Sequence, residues 1–250
     1  MIDTHCHLEK EFYDDIAGVI QDNIDNGITK MVVSGCNKKE IEEVLDYAAR
    51  YDCIYLTLGF HPDTCCDITD NDIVWLEKII KENPKVVGIG EIGLDYHYGK
   101  DNKMEQITLF EKQLMLAMKL AMPVVIHSRD ATEDTISMLK KYKVKGVIHC
   151  FSGSVETAEI YIKLGFYLGI GGVVTFKNSK LDKVLDKLDL SNLVLETDSP
   201  YLTPAPHRGE VNSSKYIPLI VKKISEIYNV NIDDVVKMTT CNAEDVFDIW

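Results

Sequence analysis

No apolar run in this chain approaches the roughly 20 residues needed to cross a bilayer, and its first residues carry neither the basic nor the apolar stretch that directs export. A cytoplasmic protein with no membrane association is the expectation. The seven cysteines are odd in number and contain no Cys-x-x-Cys pair, and several, like Cys53 beside "IYLTLGF", sit in apolar surroundings. Reduced thiols are therefore expected in place of a disulfide framework. Basic residues are also short: 27 Lys and Arg face 40 Asp and Glu, leaving a net charge of -13. That balance argues against broad electrostatic adhesion to nucleic acid or anionic membranes, so a phosphate-bearing substrate would need a local positive centre. Linkers, low-complexity tracts and sequence-level repeats are lacking, and nothing implies a stable protein partner. One domain spanning residues 1–250 is expected.

What is present is a regular alternation. Eight short apolar segments, "MIDTH", "KMVVSG", "IYLTLGF", "VVGIGEIG", "PVVIHS", "GVIHCF", "YLGIGGVV" and "LVLETDS", are separated by helical patterns. Near-continuous apolar runs, with no one-sided alternation, belong to parallel strands covered on both faces. Among the helices, Ile107, Phe110, Leu114, Ala117, Met118 and Ala121 define the stripe expected to face the core. Thr69 to Asp72 reads as a helix start with its cap and acidic first turn, and Gly27 and Gly165 as helix stops.

All seven histidines fall in or just after these segments: His5, His7, His61, His97, His127, His149 and His207. Glu91 and Asp198 lie inside apolar strands, where a charge without a partner costs several kcal/mol. Strand side chains alternate faces, so His5 and His7 point the same way with Cys6 opposite, a spacing that lets two imidazoles hold one ion. Asp3 shares that face and is expected to orient a liganding ring. Together His5, His7, Glu91, His127, His149 and Asp198 form a constellation that predicts two divalent metal ions.

The same residues choose the fold. Strands in an open sheet lie about 4.8 Å apart, which would separate the first from the eighth by more than a ligand shell spans. A (β/α)8 TIM-type barrel, an α/β single domain, gathers every C-terminal strand end around one pocket. The alternative, a doubly wound sheet, lacks the Gly-rich dinucleotide fingerprint after its first strand.

The pattern of His-x-His on strand one, an acidic residue on strand four, His on strands five and six and Asp on strand eight resembles the amidohydrolase superfamily. More narrowly, "DTHCHL", "GFHP", "GEIGLDYH", "HSRDA", "HCFSGS" and "ETDSPYL", in order across nearly the whole chain, resemble the TatD family of metal-dependent deoxyribonucleases. That resemblance implies one ion on His5, His7 and Asp198, a second on His127 and His149, and Glu91 bridging them. It also implies magnesium, manganese or zinc as the metal, and DNA, often cut from the 3' end, as the substrate. The loop that usually reads R-G-K-x-N-E-P is here "RGEVNSS": Arg208, Gly209 and Asn212 are kept, while Ser213 and Ser214 replace the Glu and Pro.

Two divalent ions acidify a water and offset charge on a phosphoryl oxygen, which suits phosphodiester hydrolysis. Asp198 is the candidate general base, and Glu91 fixes the metal pair. Of the chain's arginines, Arg50, Arg129 and Arg208, the last two lie in strand-end loops and are candidate phosphate clamps. His61 and His97 are further candidates for substrate contact, and Phe60, Tyr96, Phe151 and Tyr201 for stacking on bases, although packing is the commoner role. Cys6, Cys36 and Cys150 are expected to pack. The acidic surface favours single-stranded or end-accessible DNA over long duplex. The competing possibilities are an amidohydrolase-type enzyme acting on a carboxylic ester, lactone or C–N bond, and a barrel that only stores metal.

Overall fold

A computed structural model describes residues 1–99 and 101–250. In chain order the elements are β1 (Ile2–Cys6), α1 (Ile16–Asp25), β2 (Lys30–Gly35), α2 (Lys38–Arg50), β3 (Ile54–Leu58), α3 (Asp70–Glu82), β4 (Val86–Asp95), α4 (Lys103–Leu120), β5 (Val124–Arg129), α5 (Thr132–Lys141), β6 (Gly146–Ile148), α6 (Val155–Lys163), β7 (Phe166–Ile170), α7 (Leu181–Leu185), β8 (Leu193–Leu195), α8 (Ile217–Tyr228) and α9 (Ile232–Phe247). Each of the eight apolar segments forms a strand. The sheet order runs from β1 to β8, and the described pairings are parallel, as a (β/α)8 chain requires. Among the described residues no helix is long and apolar enough to cross a membrane.

The chain divides into two compact units, residues 1–33 with 149–250, and residues 34–148. Within the first unit, β1 lies beside β8. Thr4 Oγ1 donates to Leu195 O at 2.9 Å, and the backbone N–H groups of Thr197 and Asp198 both donate to His5 O. First and last strands are thus neighbours, which an open doubly wound sheet does not require. Its core includes Ile2, Val32, Leu168, Ile170 and Val194, over which α8 lays Ile217, Ile220, Val221 and Ile224. Full burial of each such aliphatic side chain contributes about 1.5–3 kcal/mol. Helices α1 and α6 stop at Gly27 and Gly165, as the sequence predicts.

The second unit holds β3 to β6 in parallel register, with Ile89 opposite Val124 and Val125 opposite Val147. The face of α4 departs from the hydropathy pattern. Phe110, Leu114 and Ala117 are buried as expected, but Met118 is 47% exposed, Ala121 has left the helix, and Gln106 and Gln113 are buried instead. The reason is hydrogen bonding, since Gln113 accepts from Phe60 N and donates to Phe60 O, while Gln106 does the same at Asp95. Buried amides whose groups are all paired cost little, and here they fix the ends of β3 and β4.

The start of α3 is a capping box: Asp72 Oδ2 accepts from Thr69 N and Thr69 Oγ1, each at 2.7 Å. Asp72 also pairs with Lys38, and these contacts, Lys38 foremost, hold its carboxyl down at about 2. A depressed carboxyl stabilises the fold above its unfolded value, near 4, and that contribution is lost as pH falls through about 2. Asp72→Ala is therefore expected to lower the thermal midpoint by a few degrees at pH 7. The gap from the parent should close toward pH 2 in melts at stepped pH, and a gap that widens on acidification would contradict the cap's role.

Candidate metal centre

In the first unit, His5 is the penultimate residue of β1, and His7 follows its end. His5 Nε2 and His7 Nε2 lie 3.5 and 3.7 Å from the same oxygen, Asp198 Oδ1. The rings of His5 and His7 are 4.9 Å apart, and that of His149, just past β6, is 4.2 Å from His5. Asp198 adopts φ 54°, a left-handed conformation that aspartate tolerates better than most residues. Burial pushes its carboxyl up, but the His5 contact and the charges of His149, His5 and His7 outweigh that and hold it below the usual carboxylate range. The carboxylate stays ionised because three imidazoles surround it.

Asp3 does not touch a ring, contrary to expectation. Its Oδ1 accepts from the backbone N–H groups of His5 and Thr197, and its Oδ2 from Thr197 Oγ1 at 2.6 Å. Its task is to tie β1 to the segment that carries Asp198, and burial pushes its carboxyl up to about 7. Asn212, retained from the family's loop, is buried and donates to Thr197 O and Tyr201 O, steadying the same segment. The two serines that depart from the family pattern are buried as well, and Ser213 Oγ donates to Asn23 Oδ1 of α1 at 2.6 Å. This part of the loop is buried and packs against the body of the first unit.

Glu196, two residues before Asp198, is fully buried. Its Oε1 accepts from Cys150 N and lies 3.7 Å from His149 Nδ1, while its Oε2 has no hydrogen-bond partner among the described residues. Gly169 makes room for it, since a Cβ there would sit 2.0 Å from Glu196 Oε2. The sequence argument that singles out Glu91 and Asp198, a carboxylate inside an apolar strand, applies equally to this residue.

In the second unit, Glu91 of β4 and His127 of β5 meet, with His127 Nδ1 2.6 Å from Glu91 Oε1. The close approach of these strands depends on Gly93 at φ 151°, where a Cβ would lie 1.9 Å from His127 O. Asp95 Oδ2 stands 3.2 Å from His127 Nε2, and although burial raises its carboxyl, the His127 contact, the His97 backbone N–H and the charges of His127 and Arg129 together outweigh burial and lower it. His61 Nε2 is 4.0 Å from Glu91 Oε1, and its ring is 4.7 Å from that of His127. Expected as a substrate contact, His61 thus stands among candidate ligands. Cys36 is more than packing: its Sγ lies 3.8 Å from Glu91 Oε2, and burial, with Glu91 and Glu40 nearby, pushes the thiol well up.

The other expected substrate groups are more dispersed. His97 Nδ1 pairs with Asp130 Oδ2 at 3.0 Å. The Arg129 guanidinium lies 5.5 Å from the centre of the Tyr98 ring, and that of Arg208 3.6 Å from the Phe176 ring. Both arginines are exposed. Phe60, Tyr96 and Phe151 are buried, which removes them as base-stacking surfaces, whereas Tyr201 is 44% exposed with its ring 6.4 Å from that of His7.

Within the first unit His5, His7 and Asp198 form a donor set, and within the second His61, Glu91 and His127 form another; in each, the ligand atoms all lie within 4.8 Å of one another. Mixed imidazole and carboxylate donors at such spacing fit a divalent ion.

The chain matches a family model described as TatD related DNase over residues 2–248. It is 39% identical over 254 residues to YabD of Bacillus subtilis strain 168, an uncharacterized metal-dependent hydrolase, covering 100% of this chain and 99% of that protein. The crystal structure of YjjV, a TatD homolog from Escherichia coli K12, aligns at a TM-score of 0.94 with 31% identity, covering 100% of this chain and 98% of that one. A TatD family hydrolase from Entamoeba histolytica aligns at 0.89 with 21% identity, covering 99% and 97%, a likeness of fold alone.

Proposed function

Since this chain belongs to the TatD-related DNase family and is a metal-dependent hydrolase of amidohydrolase-type fold, we propose that it is a deoxyribonuclease, cleaving phosphodiester bonds of DNA from accessible 3' ends. The observation that carries this is the ionised Asp198 carboxylate facing two imidazoles through one oxygen. His5, His7, Glu91, His127, His149 and Asp198 are the proposed ligands of two divalent ions, magnesium, manganese or zinc. When bound, such ions lower the pKa of water and neutralise charge on a phosphoryl oxygen. Asp198 accepts the proton of the attacking water, and its depressed pKa keeps it ready to do so at neutral pH. Glu91 holds His127 in place through its short contact with Nδ1. Arg129, Arg208, His61 and His97 are proposed to bind the phosphates; the flat guanidinium groups over Tyr98 and Phe176 are available from solvent. Seven cysteines with no Cys-x-x-Cys spacing support a reducing, cytoplasmic setting.

Chelation by EDTA is expected to reduce digestion of end-labelled single-stranded DNA by at least about 100-fold, and added manganese, magnesium or zinc to restore it. Full activity in the chelator would end this proposal. A parallel panel of carboxylic esters, lactones and amides would expose a metal hydrolase acting on another bond.

Glu196 is proposed to hold His149, as carboxylates hold ligating histidines. Glu196→Gln keeps the shape and the acceptor for Cys150 N but removes the charge, and a loss of about 10–100-fold in divalent-ion affinity is expected by calorimetry. Unchanged affinity would assign Glu196 to backbone support alone.

A further inference from the structure

Cys65 and Cys66 follow the tight turn Pro62–Thr64, which begins at His61. Their sulfurs lie 3.8 Å apart without a bond between them. The two thiols differ in access: Cys66 is exposed, whereas Cys65 is buried and receives a hydrogen bond from Asn102 Nδ2 at 3.4 Å. Cys66 lines a cavity of about 520 Å³ together with His61, Asp63 and Asp95, and Cys65 lines a separate one of about 230 Å³. We propose that this adjacent pair is a reversible thiol–disulfide modification site on the wall of the His61 cavity, with low-molecular-weight disulfides such as glutathione disulfide as its reagent.

Access assigns the two roles. Cys66 is the sulfur that a dissolved reagent reaches. Burial, with the Cys66 sulfur alongside, pushes Cys65 up to about 11, so it keeps its proton and does not compete for the first attack. The Cys66 thiolate attacks one sulfur of glutathione disulfide, the reagent's S–S bond breaks, and one glutathione leaves as thiolate. That thiolate takes the Cys65 proton. The Cys65 sulfur then attacks Cys66, the mixed disulfide breaks, and the second glutathione leaves and takes up the proton that Cys66 first gave to water. The protein loses two hydrogens and two electrons, and the reagent becomes two thiols.

Adjacent residues hold their Cα atoms about 3.8 Å apart, closer than the roughly 4.4–6.8 Å of ordinary disulfides, so the ring is strained and readily reduced. Reversibility follows from that strain. The turn must absorb the strain through its Thr64 N to His61 O and Cys65 N to Pro62 O bonds, which couples the pair to the backbone of His61.

The test treats the full-length protein and its Cys65→Ser and Cys66→Ser variants with glutathione disulfide, followed by intact mass and peptide mapping under non-reducing conditions. The parent is expected to lose two hydrogens at Cys65–Cys66 with only transient adduct, and to regain them in dithiothreitol. Cys65→Ser should accumulate one glutathione on Cys66, and Cys66→Ser should react at Cys65 at least about 10-fold more slowly. In the untreated parent, brief iodoacetamide exposure should label Cys66 before Cys65, which requires no variant. A stable adduct on Cys66 of the parent with no ring closure overturns the proposal, as does modification confined to Cys53 or Cys241.

Discussion

Asp198→Asn is expected to lower kcat on end-labelled DNA by on the order of 1,000-fold or more, with little change in thermal midpoint. Asparagine keeps the volume and leaves the backbone N–H to His5 O bond in place. What it removes is the negative charge shared by His5 Nε2 and His7 Nε2 at 3.5 and 3.7 Å. The site then loses both its proton acceptor and one anionic ligand, so metal content should fall together with rate. Saturation kinetics and elemental analysis on the same preparation check this. A variant that keeps its metal and its rate would show that Asp198 neither ligates nor takes the proton. A variant that keeps metal but loses rate would leave proton transfer as its main duty.

Glu91→Ala should be equally severe for a different reason. Glu91 is 4% exposed and stands 2.6 Å from His127 Nδ1, 3.8 Å from Cys36 Sγ and 4.0 Å from His61 Nε2. Its removal takes the only carboxylate from the donor set that it shares with His61 and His127. The loss of bound divalent ion should therefore accompany a fall in activity on the order of 1,000-fold. Glu91→Gln separates charge from shape: if it retains metal but not activity, the charge matters to the reaction as well as to binding. Activity at full strength in Glu91→Ala would refute the metal-hydrolase mechanism, because no other carboxylate in that set would be left to replace it.

Much of this was legible in one dimension, for reasons that can be named. Parallel strands covered on both faces must be apolar throughout, so a polar residue in such a segment stands out, as Glu91, His127 and Asp198 do, although Asp198 in fact lies three residues past the end of β8 at Leu195. His5 and His7 were placed on one face by the two-residue period of a strand, and both indeed meet one oxygen of Asp198. The stripe of α4 was legible only in part. Hydropathy cannot tell that Gln106 and Gln113 will find backbone partners at Asp95 and Phe60, and without that knowledge an amide is always assigned to the solvent side. The same limit applies to Asp3, whose partner, Thr197, lies 194 residues away.

By itself, then, the amino-acid order determined the alternation of strands and helices, the barrel class and the residue types that gather at strand ends, because each of these follows from local periodicity and from the cost of an unpaired charge in an apolar strand. Only the tertiary structure decided which oxygen faces which imidazole, that His61 stands with Glu91 and His127, that Glu196 lies beside His149, and that Ser213 binds Asn23 of α1. Those are contacts between groups remote in the chain, and their partners are set by how packed strands and helices bring them within 2.6–4.0 Å.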